Sequence, residues 1–270
     1  MEQDNYSSNL ISVEEILKSK FGPKVPGFLV RITRRLLHED FVNEVLRTDK
    51  RGIEFTDRVM EKCRTSLTVE GLDNVPKDGY YTIASNHPLG GNDALLLLNM
   101  VGHYFDGNVK TMVNDFLMAL KPLSDLFVPV NKVGGSQARN LSAMTEALFS
   151  SPSQVLIFPA GKCSRRINGK IQDIPWTKTF ITKSAANHRD IVPVHFYGRN
   201  SWRFYALDAI GKLLKLKFPL AMILLVDEMY RAMGRSYRVV VGKPIPWQTF
   251  DRSRTPLEWA AYVRDTMYAL

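Results

Sequence analysis

Beyond residue 66 the chain alternates between two hydrophobic periods. Short apolar runs at 67–69, 80–85, 109–113, 127–130, 155–158, 191–196 and 237–241 read as strands. Between and after them, segments at 93–101, 115–120, 137–149, 177–187, two within 203–231 and one at 256–267 carry apolar residues at helical spacing. This alternation predicts an α/β fold, a largely parallel mixed sheet flanked by helices.

The first 65 residues differ. Ser12-x-x-Glu15 predicts a capping box opening a helix that stops near Gly22-Pro23. A second helix is expected over 26–38, where Phe28, Leu29, Ile32, Leu36 and Leu37 recur at helical spacing with Arg31, Arg34 and Arg35 between them. Helices at 40–48 and 52–64 follow. The expected organisation is an N-terminal helical, membrane-associating segment at 1–65 ahead of an α/β domain at 66–270. A stripe flanked by arginines suits a bilayer interface; packing on a soluble domain explains the same stripe, and both readings stay open.

In open α/β sheets, ligands bind beyond the carboxyl ends of the strands. Three polar segments leave predicted strands there, at 85–93, 131–139 and 159–166, and are expected on one rim.

Composition narrows the partners. The net charge is +9 with a pI near 9.5, which favours an anionic partner such as a lipid surface or an acidic carrier protein. Helix-turn-helix, RNP-type aromatic and zinc-finger patterns are missing, so nucleic acid is not expected, and a non-catalytic basic module is the weakest alternative. Cys63 and Cys163 are too few for a disulfide framework and fit a reducing compartment. The apolar stretches at 94–100 and 218–226 fall short of the roughly 20 residues that span a bilayer. Residues 1–18 carry no signal-peptide core. A peripheral location without a transmembrane helix is expected.

The chemistry concentrates in Ser85-Asn86-His87-Pro88-Leu89-Gly90-Gly91-Asn92-Asp93. A histidine is the natural general base near neutral pH, and a carboxylate on one ring nitrogen fixes its tautomer and supports the imidazolium. Gly90 and Gly91 let the backbone approach a ligand closely. The alternative is that Asp93 merely caps the following helix.

These residues resemble a known family. Asn86-His87 followed by an acidic residue is similar to the first motif of the glycerophospholipid acyltransferases, N-H-x4-D. Phe158-Pro159-Ala160-Gly161-Lys162-Cys163-Ser164 is similar to their F-P-E-G-x-x-S motif, and Val192-Pro193-Val194 to their V-P-V. There are departures. Five residues rather than four separate His87 from Asp93, with Asn92 at the usual aspartate position. Ala160 replaces a glutamate, and Asn131 stands where an arginine usually grips the acceptor phosphate, with Arg139 as a substitute. The wording is more similar to the bacterial acyltransferases that build glycine and ornithine lipids.

The resemblance implies acyl transfer from an acyl-carrier-protein or coenzyme A thioester to the hydroxyl of a lyso amino-acid lipid, at the cytoplasmic face of the inner membrane. N-acylation of the amino acid and 1-acylglycerol-3-phosphate acylation are the rivals. His87 would be the general base and Asp93 its support. Asn86, Gly90, Gly91, Asn131, Arg139, Gly161, Lys162, Ser164, Arg165 and Arg166 would bind substrate, with backbone amides of 161–164 facing the oxyanion. No metal or cofactor is implied beyond the thioester cosubstrate. Cys163 as an acyl-accepting nucleophile is a minor reading. Asp173 and Trp176 are expected in core packing, and His195 in the interior or at an edge.

Overall fold

A computed structural model describes residues 9–129, 135–215 and 220–270, apart from a few of their side chains. Four helices come first: α1 (Val13–Phe21), α2 (Gly27–Leu36), α3 (Glu39–Leu46) and α4 (Gly52–Cys63). The Ser12 hydroxyl accepts the Glu15 amide as the N-cap of α1.

The strands then alternate with helices: β1 (Ser66–Glu70), β2 (Tyr81–Ser85), α5 (Gly91–Tyr104), β3 (Val109–Val113), β4 (Phe127–Pro129), α6 (Gly135–Ser150) and β5 (Gln154–Ile157). After them come β6 (Arg165–Ile167), β7 (Lys170–Gln172), α7 (Thr179–Ala186), β8 (Asp190–Tyr197), α8 (Trp202–Leu213), α9 (Leu224–Arg231), β9 (Ser236–Val241) and α10 (Pro256–Tyr268). The segment expected as a helix at 115–120 is a 3₁₀ turn, Asp115–Ala119, capped by the Asn114 side chain.

The main sheet has seven strands in the order β1-β9-β8-β2-β5-β3-β4. Only β8 and β9 run antiparallel; the other neighbours are parallel, so the sheet is mixed and largely parallel. β2 lies at its centre and all five of its residues are buried, as a strand covered on both faces requires. Alternate residues feed two cores. Ile83, Val192, Val194 and Val239 meet α4 and α5 through Phe55, Val59, Leu97 and Val101. Ala84, Val155 and Ile191 meet α6, α7 and α10 through Phe149, Phe180, Trp259 and Val263.

One element was not anticipated. β6 and β7 form a separate two-stranded hairpin. Its register pairs Ile167 with Lys170 and Arg165 with Gln172, leaving Asn168-Gly169 as a two-residue turn with φ of +49° and +79°. Asn-Gly is the favoured pair for a turn of that geometry, because both central residues need positive φ.

Candidate active site

β2 delivers Asn86 and His87 to its carboxyl end, and the chain turns at Gly90 into α5. Gly90 has φ +84°, and a Cβ there would meet Cys163 Sγ and Leu225 Cδ1, both at 2.9 Å. The turn therefore needs glycine, and it rests directly on the 159–166 segment. Because α5 starts at Gly91, Asp93 falls in its first turn. Its Oδ2 lies 3.1 Å from His87 Nδ1 and accepts the Leu89 amide at 2.9 Å, while Oδ1 accepts the Ala94 amide. The same carboxylate thus orients the histidine and holds amides on both sides of the turn, while α5 itself has no side-chain cap. Asn92 is buried elsewhere, 3.3 Å from the Tyr237 hydroxyl.

The His87 imidazole stacks on Phe158 at 4.1 Å between centroids, and its side chain retains 17% exposure. With Nδ1 facing Asp93, Nε2 is the nitrogen left for a substrate. Burial disfavours the charged imidazole, but Asp93, and after it Asp173, outweigh burial and hold its pKa above the ordinary histidine value; Arg165 opposes them.

The 159–166 segment reaches the same place. The Ser164 amide donates to the His87 carbonyl at 2.8 Å, and its hydroxyl donates to Asp173 Oδ1 at 2.6 Å. The Gly161 amide donates to Phe158 O. Of the 161–164 amides, those of Lys162 and Cys163 make no backbone–backbone hydrogen bond among the described residues. Two of the three predicted rim segments therefore meet at His87. Of the third, Asn131 and the side chain of Arg139 lie outside what is described. A partly exposed imidazole backed by a carboxylate, beside loop amides, is equipped to take a proton from a nucleophile and stabilise an oxyanion.

A family model described as acyltransferase matches residues 16–270. The chain belongs to the acyltransferase family. This acyltransferase is 48% identical over 267 residues to the lyso-glycine lipid O-acyltransferase of Bacteroides thetaiotaomicron, covering 97% of both chains. Its identity to the lyso-glycine lipid O-acyltransferase of Phocaeicola vulgatus is 46% over 266 residues, covering 97% of this chain and 95% of the other. A solved 1-acyl-sn-glycerophosphate acyltransferase, PlsC from Thermotoga maritima, aligns with 94% of this chain and 91% of its own at 14% identity and a TM-score of 0.49.

Several residues expected to bind substrate are engaged inside the acyltransferase instead. Asn86 is buried, and its side-chain amide is spent on the backbone of β8: Oδ1 accepts Phe196 N–H at 2.8 Å and Nδ2 donates to Phe196 O at 2.9 Å. It latches two strand ends together. Arg165 also departs from expectation. It is buried, its Nε lies 2.9 Å from Asp208, Nη1 donates to the Cys163 carbonyl, and the guanidinium sits over the Phe204 ring. Its neighbour Arg166 points the other way on β6 and is exposed, as are Lys162, Gly91 and Gly161. Ser164 binds Asp173 and His87 rather than open space.

Cys163 is buried, and burial pushes its thiol pKa up to about 12, which removes the thiolate a nucleophile needs. Ala160 is buried in the α7–α10 core. His195 stacks on Tyr197 and meets Tyr268 edge to face, and burial pulls its pKa down to about 4. His38, given no role from sequence, pairs with buried Asp227 at 2.8 Å alongside Arg203 and Arg231, tying the N-terminal helices to α8 and α9. Asp173 was underrated, although the Asn168-Gly169 hairpin signal folds it back onto Ser164. No group of three or more metal-ligating side chains occurs among the described residues.

Proposed function

We propose that this acyltransferase moves a fatty acyl group from an acyl-carrier-protein or coenzyme A thioester to the hydroxyl of a lyso amino-acid lipid of the glycine type. The observation that carries this reading is near-half identity, along 97% of this chain, to two relatives named for that reaction. The O-acyl outcome is favoured over N-acylation because both names specify it.

In the proposed step, His87 Nε2 takes the acceptor's hydroxyl proton as its oxygen attacks the thioester carbonyl. The Lys162 and Cys163 amides face the oxyanion. Collapse breaks the C–S bond, and the imidazolium returns the proton to the departing sulfur, leaving ester and thiol. Asp93 supports the transient positive charge. Base help of this kind is worth about 10²–10⁴-fold in rate. No resident cofactor enters the scheme.

The substrates' acyl chains suggest a peripheral site on the inner membrane's cytoplasmic face. α2 has no buried residue. Phe28, Leu29 and Ile32 are exposed on it, with Lys24, Arg31 and Arg35 also exposed nearby. Leu213 and Leu214 are exposed at the end of α8 beside Lys212 and Lys215. No helix among the described residues is long and apolar enough to cross a membrane.

The test is lipid mass spectrometry of cells with and without the gene. Loss of the diacyl amino lipid with build-up of its monoacyl precursor supports the reading. Loss of both forms would move the enzyme to N-acylation, and altered phosphatidate with intact amino lipids would replace the acceptor.

A further inference from the structure

Asp173 is a fully buried carboxylate that the proposed step does not use. The Asn168-Gly169 turn sets a register in which Arg165 faces Gln172, so the flanking residues, Ser164 and Asp173, are also brought face to face. Asp173 Oδ1 accepts the Ser164 hydroxyl at 2.6 Å and the His87 backbone N–H at 3.3 Å. Oδ2 accepts Trp176 Nε1–H at 2.9 Å. The backbone of Asp173 is held in turn by α10: its N–H donates to the Tyr268 hydroxyl at 2.8 Å, and its carbonyl accepts Arg264 Nη2 at 2.9 Å.

Every donor on this carboxylate is neutral: burial pushes its pKa up, and the hydrogen bonds from Ser164, Trp176 and the His87 N–H oppose that rise. A buried charge without a counter-ion costs several kcal/mol unless its surroundings repay it, and a well-packed apolar residue would avoid that cost. The nearest group that gains a positive charge in the reaction is His87. Its peptide is gripped from both sides, by Asp173 at N–H and by the Ser164 amide at C=O.

We propose that Asp173 is a positioning residue of this acyltransferase: its carboxylate clamps the His87 main chain to Ser164 and sets a second buried negative charge against the working histidine. The inference rests on the general-base reading of His87. The charged groups facing that histidine are Asp93 from α5, Asp173 from the segment after β7, and Arg165 from β6, itself paired with Asp208.

The experiment is an NMR titration of the His87 imidazole in the full chain, for the parent, Asp173→Asn and His87→Ala as assignment control. It is paired with pH profiles of turnover using an N-(3-hydroxyacyl)glycine acceptor and long-chain acyl-coenzyme A or acyl-carrier-protein donors. In Asp173→Asn, His87 should titrate at lower pH, the acid limb of kcat/KM should move the same way, and kcat should fall by up to about 10²-fold, as when a reacting group is misplaced by a change outside the chemistry. A folded Asp173→Asn protein whose His87 titration and acid limb coincide with the parent's overturns the proposal. If that variant does not fold, Ser164→Ala decides. The carboxylate then loses its closest donor and its tie to the 159–166 loop, so a fall in kcat with KM and stability unchanged supports the clamp, and parent-like turnover overturns it. Activity surviving in His87→Ala would remove the general-base reading itself, whereas an inactive His87→Ala with an unmoved Asp173→Asn removes only the role of Asp173.

Discussion

Oδ2 of Asp93 stands 3.1 Å from Nδ1 of His87 although five residues intervene. The extra residue is absorbed where Gly90 takes a φ of +84° and α5 begins at Gly91. That places the carboxylate of residue 93, not the amide of residue 92, against the imidazole.

Replacing Asp93 with Asn should lower kcat by about 10²–10⁴-fold, the range of general-base assistance. The pH profile should move as well. In the proposed step the working base is neutral His87, whose pKa is raised, so parent activity should fall as pH drops through a value above the ordinary histidine range. Without the Asp93 charge, burial dominates and the imidazole titrates lower; the acid limb of kcat/KM should shift to lower pH. An unmoved limb would separate Asp93 from the base.

Gly90→Ala combines a backbone conformation that only glycine adopts readily with a Cβ 2.9 Å from Cys163 Sγ. The expected loss of stability is about 1–3 kcal/mol, read from the denaturant midpoint, with a fall in turnover as the His87 turn shifts.

Arg165 and Arg166 should separate cleanly. Arg165→Ala opens a buried ion pair and should cost about 3 kcal/mol, the low end for such a loss because Lys212 still reaches Asp208. Arg166→Ala should stay within about 0.5 kcal/mol of the parent in stability. A KM effect on either substrate should therefore appear in Arg166→Ala without any stability defect.

Cys163 should resist iodoacetamide at neutral pH in the folded protein, because a thiol with a pKa near 12 is almost wholly protonated there. Mass spectrometry after mixing with acyl thioester should find no acyl group on it. Acylation at Cys163 would replace direct transfer with a two-step mechanism.

Phe28→Ser combined with Ile32→Ser should leave the thermal midpoint nearly unchanged, since both side chains are exposed, at 63% and 53%. Sedimentation with vesicles containing anionic lipid should fall sharply. Retained binding would move the membrane contact away from α2.

Hydrophobic periodicity alone yields the sheet and the rim that carries the candidate site. Buried strands such as β2 are legible because burial on both faces favours a near-continuous run of apolar and small residues, and segments leaving the carboxyl ends of parallel strands must share a rim. The His87 turn and the 159–166 loop were found that way. The β6–β7 hairpin was missed, because strands that short, lying off the main sheet, show no period, although Asn168-Gly169 is itself a turn signal.

Which polar side chains are spent on the fold, and which stay available to the proposed reaction, depends on contacts that form only on folding. Arg165 and Arg166 are adjacent and chemically alike; one turns inward because α8 carries Asp208 to meet it. Asn86 reads as a ligand until β8 arrives to occupy its amide. Asp173 reads as packing until a hairpin folds it against Ser164 and His87. A polar group's role depends on what satisfies its hydrogen bonds, and partners far along the chain leave no trace in local sequence.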